Sequence, residues 1–286
     1  MSALRLATLV TDGGRVPVHV RGDGCVTALD PDGGTITDLL AAVRRWGSVA
    51  SLPPPEGDHD WTSPADARLG TPLRGMQTVI GIGLNFVGHA ADLKARTTRL
   101  PTLFYKGPNT LIGPGDPIVL PEMSQRVTAE AELALVIGRP ADRVTVDDAL
   151  SYVAGVCCAL DQTAEDILLE DARLLTLAKN FESFLSLGPE LADLAELTEL
   201  NGSLDATRVE TWLNGECVRS GTVSDMRFGP AELVSFISHV IPLAPGDVIC
   251  TGTPGAVRIE PGDTVECRVA GLRPLSNPVI RRTSET

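Results

Sequence analysis

Three carboxylates in two apolar stretches are the first candidates for a functional site in this sequence. Glu130 and Glu132 lie within the apolar run 128–137, and strand alternation would place both on one face of a β-strand. Asp161 follows a second apolar run, 153–160. Neighbouring carboxylates repel each other unless water or a cation lies between them, and Mg²⁺ prefers oxygen ligands. The pattern indicates a divalent-metal site; the alternative is a solvated strand edge.

The composition is that of a globular protein with many short strands. The chain has 286 residues, which is enough for one large or two modest domains. Aromatic residues are scarce at 4%, whereas 28 glycines and 21 prolines favour strands and turns over long helical bundles. A net charge of −13 disfavours nucleic acid and anionic membrane surfaces as partners.

The cysteines predict a reducing environment. None forms a C-x-x-C pair and most lie in apolar runs, so we expect buried free thiols and no zinc site. They are Cys25, Cys157, Cys158, Cys217, Cys250 and Cys267. The first residues lack the apolar core of a signal peptide, and no apolar run is long enough to span a bilayer. We therefore expect a cytoplasmic protein.

The pattern along the chain predicts two domains and a linker between them. Short alternating runs predict a small β-rich N-terminal domain over residues 1–60. Residues 61–75 are predicted to be a linker that continues a segment rich in Pro, Gly and Asp. Residues 76–286 are predicted to form the catalytic domain, mostly from strands and turns.

Two further segments carry polar groups that could do chemistry. His89 and Asp92 have the spacing of one helix face, so a His base oriented by a carboxylate is one interpretation and a surface helix contact is the other. The Thr/Gly-rich turn 251–255 follows an apolar strand and could present hydroxyl and N–H groups to an anion, or be a plain turn.

Few lysines occur among 24 basic residues; Lys106 and Lys179 stand out, because a compact ammonium group suits a small site.

Taken together, these segments resemble the fumarylacetoacetate hydrolase family. The matching motifs follow the family's order from about residue 79 to the C-terminus. They are Gly83-Leu84-Asn85-Phe86 with His89, Phe104-Tyr105-Lys106, Gly113-Pro114-Gly115-Asp116, Glu130-Ala131-Glu132-Leu133 with Ile137-Gly138, Ala178-Lys179-Asn180-Phe181, Leu187-Gly188-Pro189, Asn214-Gly215-Glu216, Ser224-Asp225-Met226 and Thr251-Gly252-Thr253-Pro254.

The resemblance implies a fold, a metal and a set of site residues. It implies an α+β, mostly β fold, with a mixed β-sandwich roll as the catalytic domain, and a homodimer. It implies Mg²⁺ or Mn²⁺ held by three carboxylates, a catalytic dyad, a basic catalytic residue, and substrate contacts. In this sequence these are Glu130, Glu132 and Asp161 for the metal, His89 and Asp92 for the dyad, Lys179 for the basic residue, and Thr253 for the substrate. Lys106 is a further predicted substrate contact.

The sequence departs from the family pattern after the third metal carboxylate. Glu165 stands where the family commonly has a substrate-contacting Arg, and Leu168 stands where it has a Gln. A dicarboxylic substrate would lose a charge partner there and meet a repulsive carboxylate. We therefore expect poor hydrolysis of fumarylacetoacetate and simple acylpyruvates, and a substrate that is larger, less anionic at that end, or bound by another cation such as Arg173 or Arg96. The alternative is that Glu165 is a solvated surface charge.

These features predict a metal-dependent hydrolase that cleaves a C–C bond in a β-dicarbonyl or acylpyruvate-like oxo acid through an enolate. The first alternative is non-hydrolytic chemistry on a related substrate, namely decarboxylation, isomerisation, tautomerisation or cyclisation. The second alternative is a binding protein without catalysis. The presence of every metal carboxylate, of His89 and of Lys179 places the binding protein last.

Overall fold

Strands provide most of the regular structure in the computed structural model, which describes residues 5–29, 36–55, 61–63, 67–73, 75, 78–88 and 98–282. The strands in these ranges are β1 Arg5–Thr11, β2 Gly14–Val20, β3 Val26–Ala28, β4 Leu69–Gly70, β5 Val79–Gly83, β6 Thr102–Lys106, β7 Leu111–Ile112, β8 Ile118–Leu120, β9 Val127–Ile137, β10 Val153–Ala164, β11 Leu185–Ala192, β12 Arg208–Leu213, β13 Glu216–Thr222, β14 Val248–Cys250, β15 Val257–Ile259, β16 Thr264–Val269 and β17 Leu275–Arg281. The α-helices are α1 Leu39–Trp46, α2 Val146–Ala149, α3 Glu165–Glu170, α4 Leu175–Lys179, α5 Leu194–Asn201 and α6 Pro230–Val240. Short 3₁₀ helices lie at Val49–Ser51, Pro108–Thr110, Leu150–Tyr152, Ala172–Leu174 and Val223–Asp225.

The strands form two mixed sheets. The larger has the order β3-β2-β1-β11-β10-β9-β14-β5-β6, with β15 added to β9, β4 to β1 and β7 to β11. The smaller has the order β13-β12-β16-β17-β8. β9 contacts β12 and β16, so the sheets pack face to face at the centre of the molecule. The predicted α+β, mostly β fold is confirmed.

β9 and β10 are the central strands and are covered on both faces. Leu133 and Leu135 of β9 belong to the core that includes residues of the smaller sheet. Ala134 and Val136 alternate with them and pack in a second core that includes Leu39 of α1. Because side chains alternate along a strand, Glu130 and Glu132 share the face of Ala134, beyond the end of this second core. The carboxylates are thus held by the most buried pair of strands.

The N-terminal strands continue the larger sheet. Leu6 of β1 pairs with Leu191 of β11, and β4, inside the predicted linker 61–75, pairs with β1. Helix α1 packs on the central strands through the second core. The division into residues 1–60, 61–75 and 76–286 stays a prediction.

Helix α1 fits against the sheet because two glycines let the backbones approach. The Asp38 side chain accepts a hydrogen bond from Ala41 N at 2.7 Å and begins the helix. Gly47 ends it with φ 74°. A Cβ atom on Gly138, which follows β9, would lie 1.7 Å from the Gly47 carbonyl oxygen. Any larger residue at 138 would push the helix off the sheet.

The cysteines are free, and most are buried as expected. Cys157, Cys158, Cys250 and Cys267 are buried, whereas Cys217 is exposed. Within the described ranges no helix has the length and apolar character to cross a membrane. The cytoplasmic location stays a prediction.

Candidate active site

Three carboxylates converge where β9 and β10 run side by side. Glu130 lies directly opposite Asp161, and Glu132 lies opposite Ala159 one step along the same face. One oxygen atom from each of Glu130, Glu132 and Asp161 lies within 4.8 Å of the others. Glu132 and Asp161 are each 1% exposed, which contradicts the alternative of a solvated strand edge. Among the described residues, this is the one group of three acidic, His or Cys side chains close enough to share an ion.

Lys179 and Lys106 face this acidic triad from α4 and β6. The Lys179 Nζ lies 2.5 Å from Asp161 Oδ2 and 3.1 Å from Glu130 Oε2. The Lys106 Nζ donates to Asp161 Oδ1 at 2.5 Å, to the Lys179 carbonyl oxygen at 2.7 Å and to the Gln162 carbonyl oxygen at 3.3 Å. Since an ammonium group has three donors, these contacts occupy Lys106 fully. Its predicted role in binding substrate stays a prediction, and its contacts are those of a residue that orients Asp161.

The triad brings three carboxyl groups together against two lysines. Burial raises the pKa of Glu132 well above its usual value, and the charges of Asp161 and Glu130 raise it further. Burial lowers the pKa of Lys179, but the neighbouring carboxylates outweigh burial and leave that pKa raised. Burial lowers the pKa of Lys106 despite the charge of Asp161. A buried Glu132 that ionises with difficulty beside two further carboxylates fits a divalent cation with oxygen ligands, so the three residues form a candidate metal site; the identity of the ion stays a prediction.

The turn after β14 supports the triad from the side. Gly252 N donates to Glu132 Oε2 at 2.7 Å, and the Asn85 amide donates to the Thr251 carbonyl oxygen at 2.8 Å. Gly252 has φ 94°, and a Cβ atom there would lie 2.8 Å from Asn85 Cβ, so this position requires glycine. The Thr253 hydroxyl is buried and bonds within its own turn to Gly255. Its predicted substrate contact stays a prediction.

Asn85 is a residue of the site that sequence reasoning did not single out. Besides Thr251, its amide donates to the Phe228 carbonyl oxygen at 3.0 Å and accepts from Phe228 N at 3.1 Å. Asn85 thereby ties the end of β5 to the turn that supports Glu132. The sequence feature that could have identified Asn85 is its position at the end of an apolar strand, within the motif 83–86.

The predicted dyad is not tested by the geometry. His89, Asp92 and Arg96 lie outside the described residues, which end at 88 on this side and resume at 98. The strand β5 that leads toward them borders β14 and β6, two strands of the site.

The two departures from the family pattern both lie in α3, and Glu165 is its first residue. Glu165 forms an ion pair with Arg126, a residue that sequence reasoning missed. Leu168 is partly buried and packs against the core that lies between the two sheets and includes Leu133. Arg173, one alternative cation, pairs with Asp171 and has a side chain that is 89% exposed. The signal for Arg126 was its strand phase, since it stands four residues before Glu130 on the same face.

Comparisons with known proteins place this arrangement in a family. Residues 78–280 match the model of the fumarylacetoacetate (FAA) hydrolase C-terminal domain. An uncharacterized protein from Archaeoglobus fulgidus is 37% identical over 204 residues, covering 71% of this chain and 78% of its own. A mitochondrial oxaloacetate tautomerase from Rattus norvegicus is 32% identical over 217 residues, covering 73% of this chain and 68% of its own.

Solved structures of related enzymes have the same fold. A 5-carboxymethyl-2-hydroxymuconate delta-isomerase from Mycobacterium smegmatis superposes with a TM-score of 0.78 at 30% identity, covering 98% of this chain and 100% of its own. A fumarylacetoacetate hydrolase from Exiguobacterium antarcticum superposes with a TM-score of 0.85 at 26% identity, with the same coverage.

Proposed function

Because this chain belongs to the fumarylacetoacetate hydrolase family, we propose that it is a metal-dependent enzyme acting on a 2-oxo acid that carries a second carbonyl group. The observation that carries the proposal is the convergence of Glu130, Glu132 and Asp161 with the ammonium group of Lys179. A Mg²⁺ or Mn²⁺ ion held by the carboxylates would supply Lewis-acid chemistry to the substrate oxygens.

The residues of the chain supply the remaining roles. Lys179 is 4% exposed, and its ammonium group is placed to stabilise negative charge that develops on a substrate oxygen in a site with little water. Lys106 and Gly252 N hold Asp161 and Glu132 in fixed orientations through direct hydrogen bonds. His89, oriented by Asp92, is proposed as the base that moves the proton.

Tautomerisation or isomerisation of such an oxo acid is the reaction that the comparisons favour. The rat relative is named as an oxaloacetate tautomerase and the Mycobacterium smegmatis structure as an isomerase. Both activities move a proton between carbon and oxygen or between carbons. Hydrolytic C–C cleavage, predicted from the sequence, is the second candidate, supported by the Exiguobacterium antarcticum hydrolase. There, water would add its hydroxyl to the acyl carbon and its proton to the released carbon.

A substrate screen separates these reactions. Enol oxaloacetate, acylpyruvates and unsaturated oxo acids are incubated with protein stripped by a chelator and with protein reloaded with Mg²⁺ or Mn²⁺. Loss of enol absorbance with unchanged total substrate, measured by chromatography, identifies tautomerisation, whereas two shorter acids identify cleavage. Activity that survives complete removal of divalent ions would contradict the proposed function.

The dyad has its own test. His89→Ala should lower kcat by roughly 10²–10⁴-fold and leave metal affinity nearly unchanged, since His89 is not among the proposed ligands. Full turnover in this variant would remove His89 from the mechanism. A homodimer and a cytoplasmic location stay predictions, to be measured by light scattering and by fractionation.

A further inference from the structure

A row of polar side chains leads away from the acidic triad along the same face of β9 and β10. Beyond the pair Glu130–Asp161, Thr128 lies opposite Thr163. One step further, Glu165 N donates to the Arg126 carbonyl oxygen at 2.8 Å, which extends the ladder. Two residues along a strand span about 6–7 Å, so the Cα atoms of the two threonines lie about that far along the strands from those of Glu130 and Asp161. We call Arg126, Thr128, Thr163, Glu165 and Arg258 the polar ledge.

One buried group on this ledge lacks a partner. The Thr163 hydroxyl donates to Glu130 Oε1 at 2.8 Å. Thr128 is only 3% exposed, yet its hydroxyl has no hydrogen-bond partner among the residues that the structure describes. Buried hydroxyls are normally satisfied, and strand alternation directs this one to the face of the triad. It is an unsatisfied polar group on the face of the triad, one pair of residues beyond Glu130 and Asp161, where a polar group of a substrate could satisfy it.

The cations of the ledge are already neutralised. Arg126 pairs with Glu165, whose side chain is 14% exposed. Arg258 lies opposite Thr128 on β15 and pairs with Glu260 at 3.1 Å. Partly exposed ion pairs of this kind contribute little to folding stability. Their consequence is local, because each arginine that could receive a substrate carboxylate stands beside a carboxylate that would repel it.

We propose that the polar ledge binds a neutral polar group, such as a hydroxyl or carboxamide, at the far end of the oxo-acid substrate, and that Glu165 rejects a second carboxylate there. This inference rests on the proposed function. The Arg126–Glu165 pair offers both donors and an acceptor, and the Thr128 hydroxyl offers both as well. A hydroxyl or amide uses donors and acceptors together, whereas a carboxylate only accepts.

The test compares two ligands that differ only at that end. 2-Oxoglutarate and its terminal amide, 2-oxoglutaramate, are titrated by calorimetry into Mn²⁺-loaded protein, and oxalate serves as a probe that chelates metal without reaching the ledge. We expect the native protein to bind the amide at least tenfold more tightly than the acid. Glu165→Gln should reverse this preference, because Arg126 then meets the acid without an adjacent anion. Thr128→Val should weaken the binding of the amide severalfold and leave the affinity for oxalate unchanged.

The controls separate the ledge from the metal site and from folding. Asp171→Asn removes the carboxylate of the exposed Arg173–Asp171 pair and should leave the selectivity as in the native protein. Thermal unfolding of each variant verifies that it is folded. Equal affinity for acid and amide in the native protein, or unchanged selectivity in folded Glu165→Gln, would overturn the role of the ledge. Failure of the Mn²⁺-loaded protein to bind oxalate would overturn the proposed function itself.

Discussion

The two ends of one face of β9 and β10 differ completely in chemistry. At one end Ala134 and Val136 pack in an apolar core with Leu39 and Leu191. At the other end Glu130 and Glu132 share the same strand face, where Lys179 contacts Glu130 and the Gly252 N–H donates to Glu132. Both ends are buried, but burial stabilises the apolar end and penalises the ionised groups of the acidic end. The apolar end therefore stabilises the fold, whereas the acidic end opposes folding and is the candidate metal site.

The largest effect is expected from removing a carboxylate of the acidic end. Glu132→Ala should abolish binding of Mg²⁺ and Mn²⁺ with the fold retained, because a hard cation would lose an oxygen ligand in a small site. Isothermal titration measures the affinity. Glu266→Gln, which alters a partly buried glutamate of β16 paired with Arg268, is the matched control and should bind as the native protein does. Unchanged affinity in Glu132→Ala would defeat the assignment of the triad.

Removing a lysine should separate catalysis from metal binding. Lys179→Met removes the ammonium group that contacts Asp161 and Glu130. We expect kcat to fall by roughly 10²–10³-fold, as when one stabilising donor for a developing oxyanion is lost. Metal affinity should not fall, because a competing cation has left the ligands. Weaker metal binding in this variant would show that Lys179 instead organises the triad.

A cavity at the apolar end should act on stability alone. Leu191 is fully buried and pairs with Leu6. Leu191→Ala should lower the free energy of unfolding by about 2–5 kcal/mol, measured by urea denaturation, while the metal affinity of the folded protein stays unchanged. A large loss of affinity at native-like conditions would mean that the two ends are coupled more closely than their separation along the strands indicates.

The smallest effect concerns Asp166, beside the polar ledge. Its carboxylate accepts hydrogen bonds from Ser124 Oγ at 2.6 Å, Gln125 N at 2.8 Å and Ile167 N at 3.0 Å. Burial opposes ionisation, but these bonds outweigh it and lower the pKa of Asp166. A carboxyl whose pKa is lower in the folded state stabilises the fold above its unfolded pKa, about 3.9, and loses this as pH falls through the folded value. Asp166→Asn should therefore cost about 1 kcal/mol at pH 7.

The pH dependence of the unfolding free energy tests whether ionised Asp166 stabilises the fold. Denaturation of the native protein and Asp166→Asn is compared between pH 7 and pH 2.5. The difference in unfolding free energy should shrink below about pH 4. A constant difference over the whole pH range would show that the negative charge of Asp166 does not contribute to the free energy of unfolding.

The carboxylate pair could be predicted from the sequence because strand phase is a local property. Alternation alone placed Glu130 and Glu132 on one face, and the apolar run before Asp161 indicated a second buried strand. The departure from the family pattern at Glu165 was visible in the sequence, but the ion pair of Glu165 with Arg126 was not. Arg126 and Glu165 are 39 residues apart, and only the register of β9 against β10 brings them together.

Short-range periodicity and motifs in a fixed order are enough to predict the α+β, mostly β fold, the family and the three carboxylates. The surroundings of these carboxylates depend on the tertiary structure. It turned Lys106 toward Asp161 rather than toward open space, joined Asn85 to the turn that supports Glu132, and set an unpartnered Thr128 hydroxyl beside two neutralised arginines. These contacts depend on sheet register and on the packing of distant strands, and no local pattern in the chain encodes either of them.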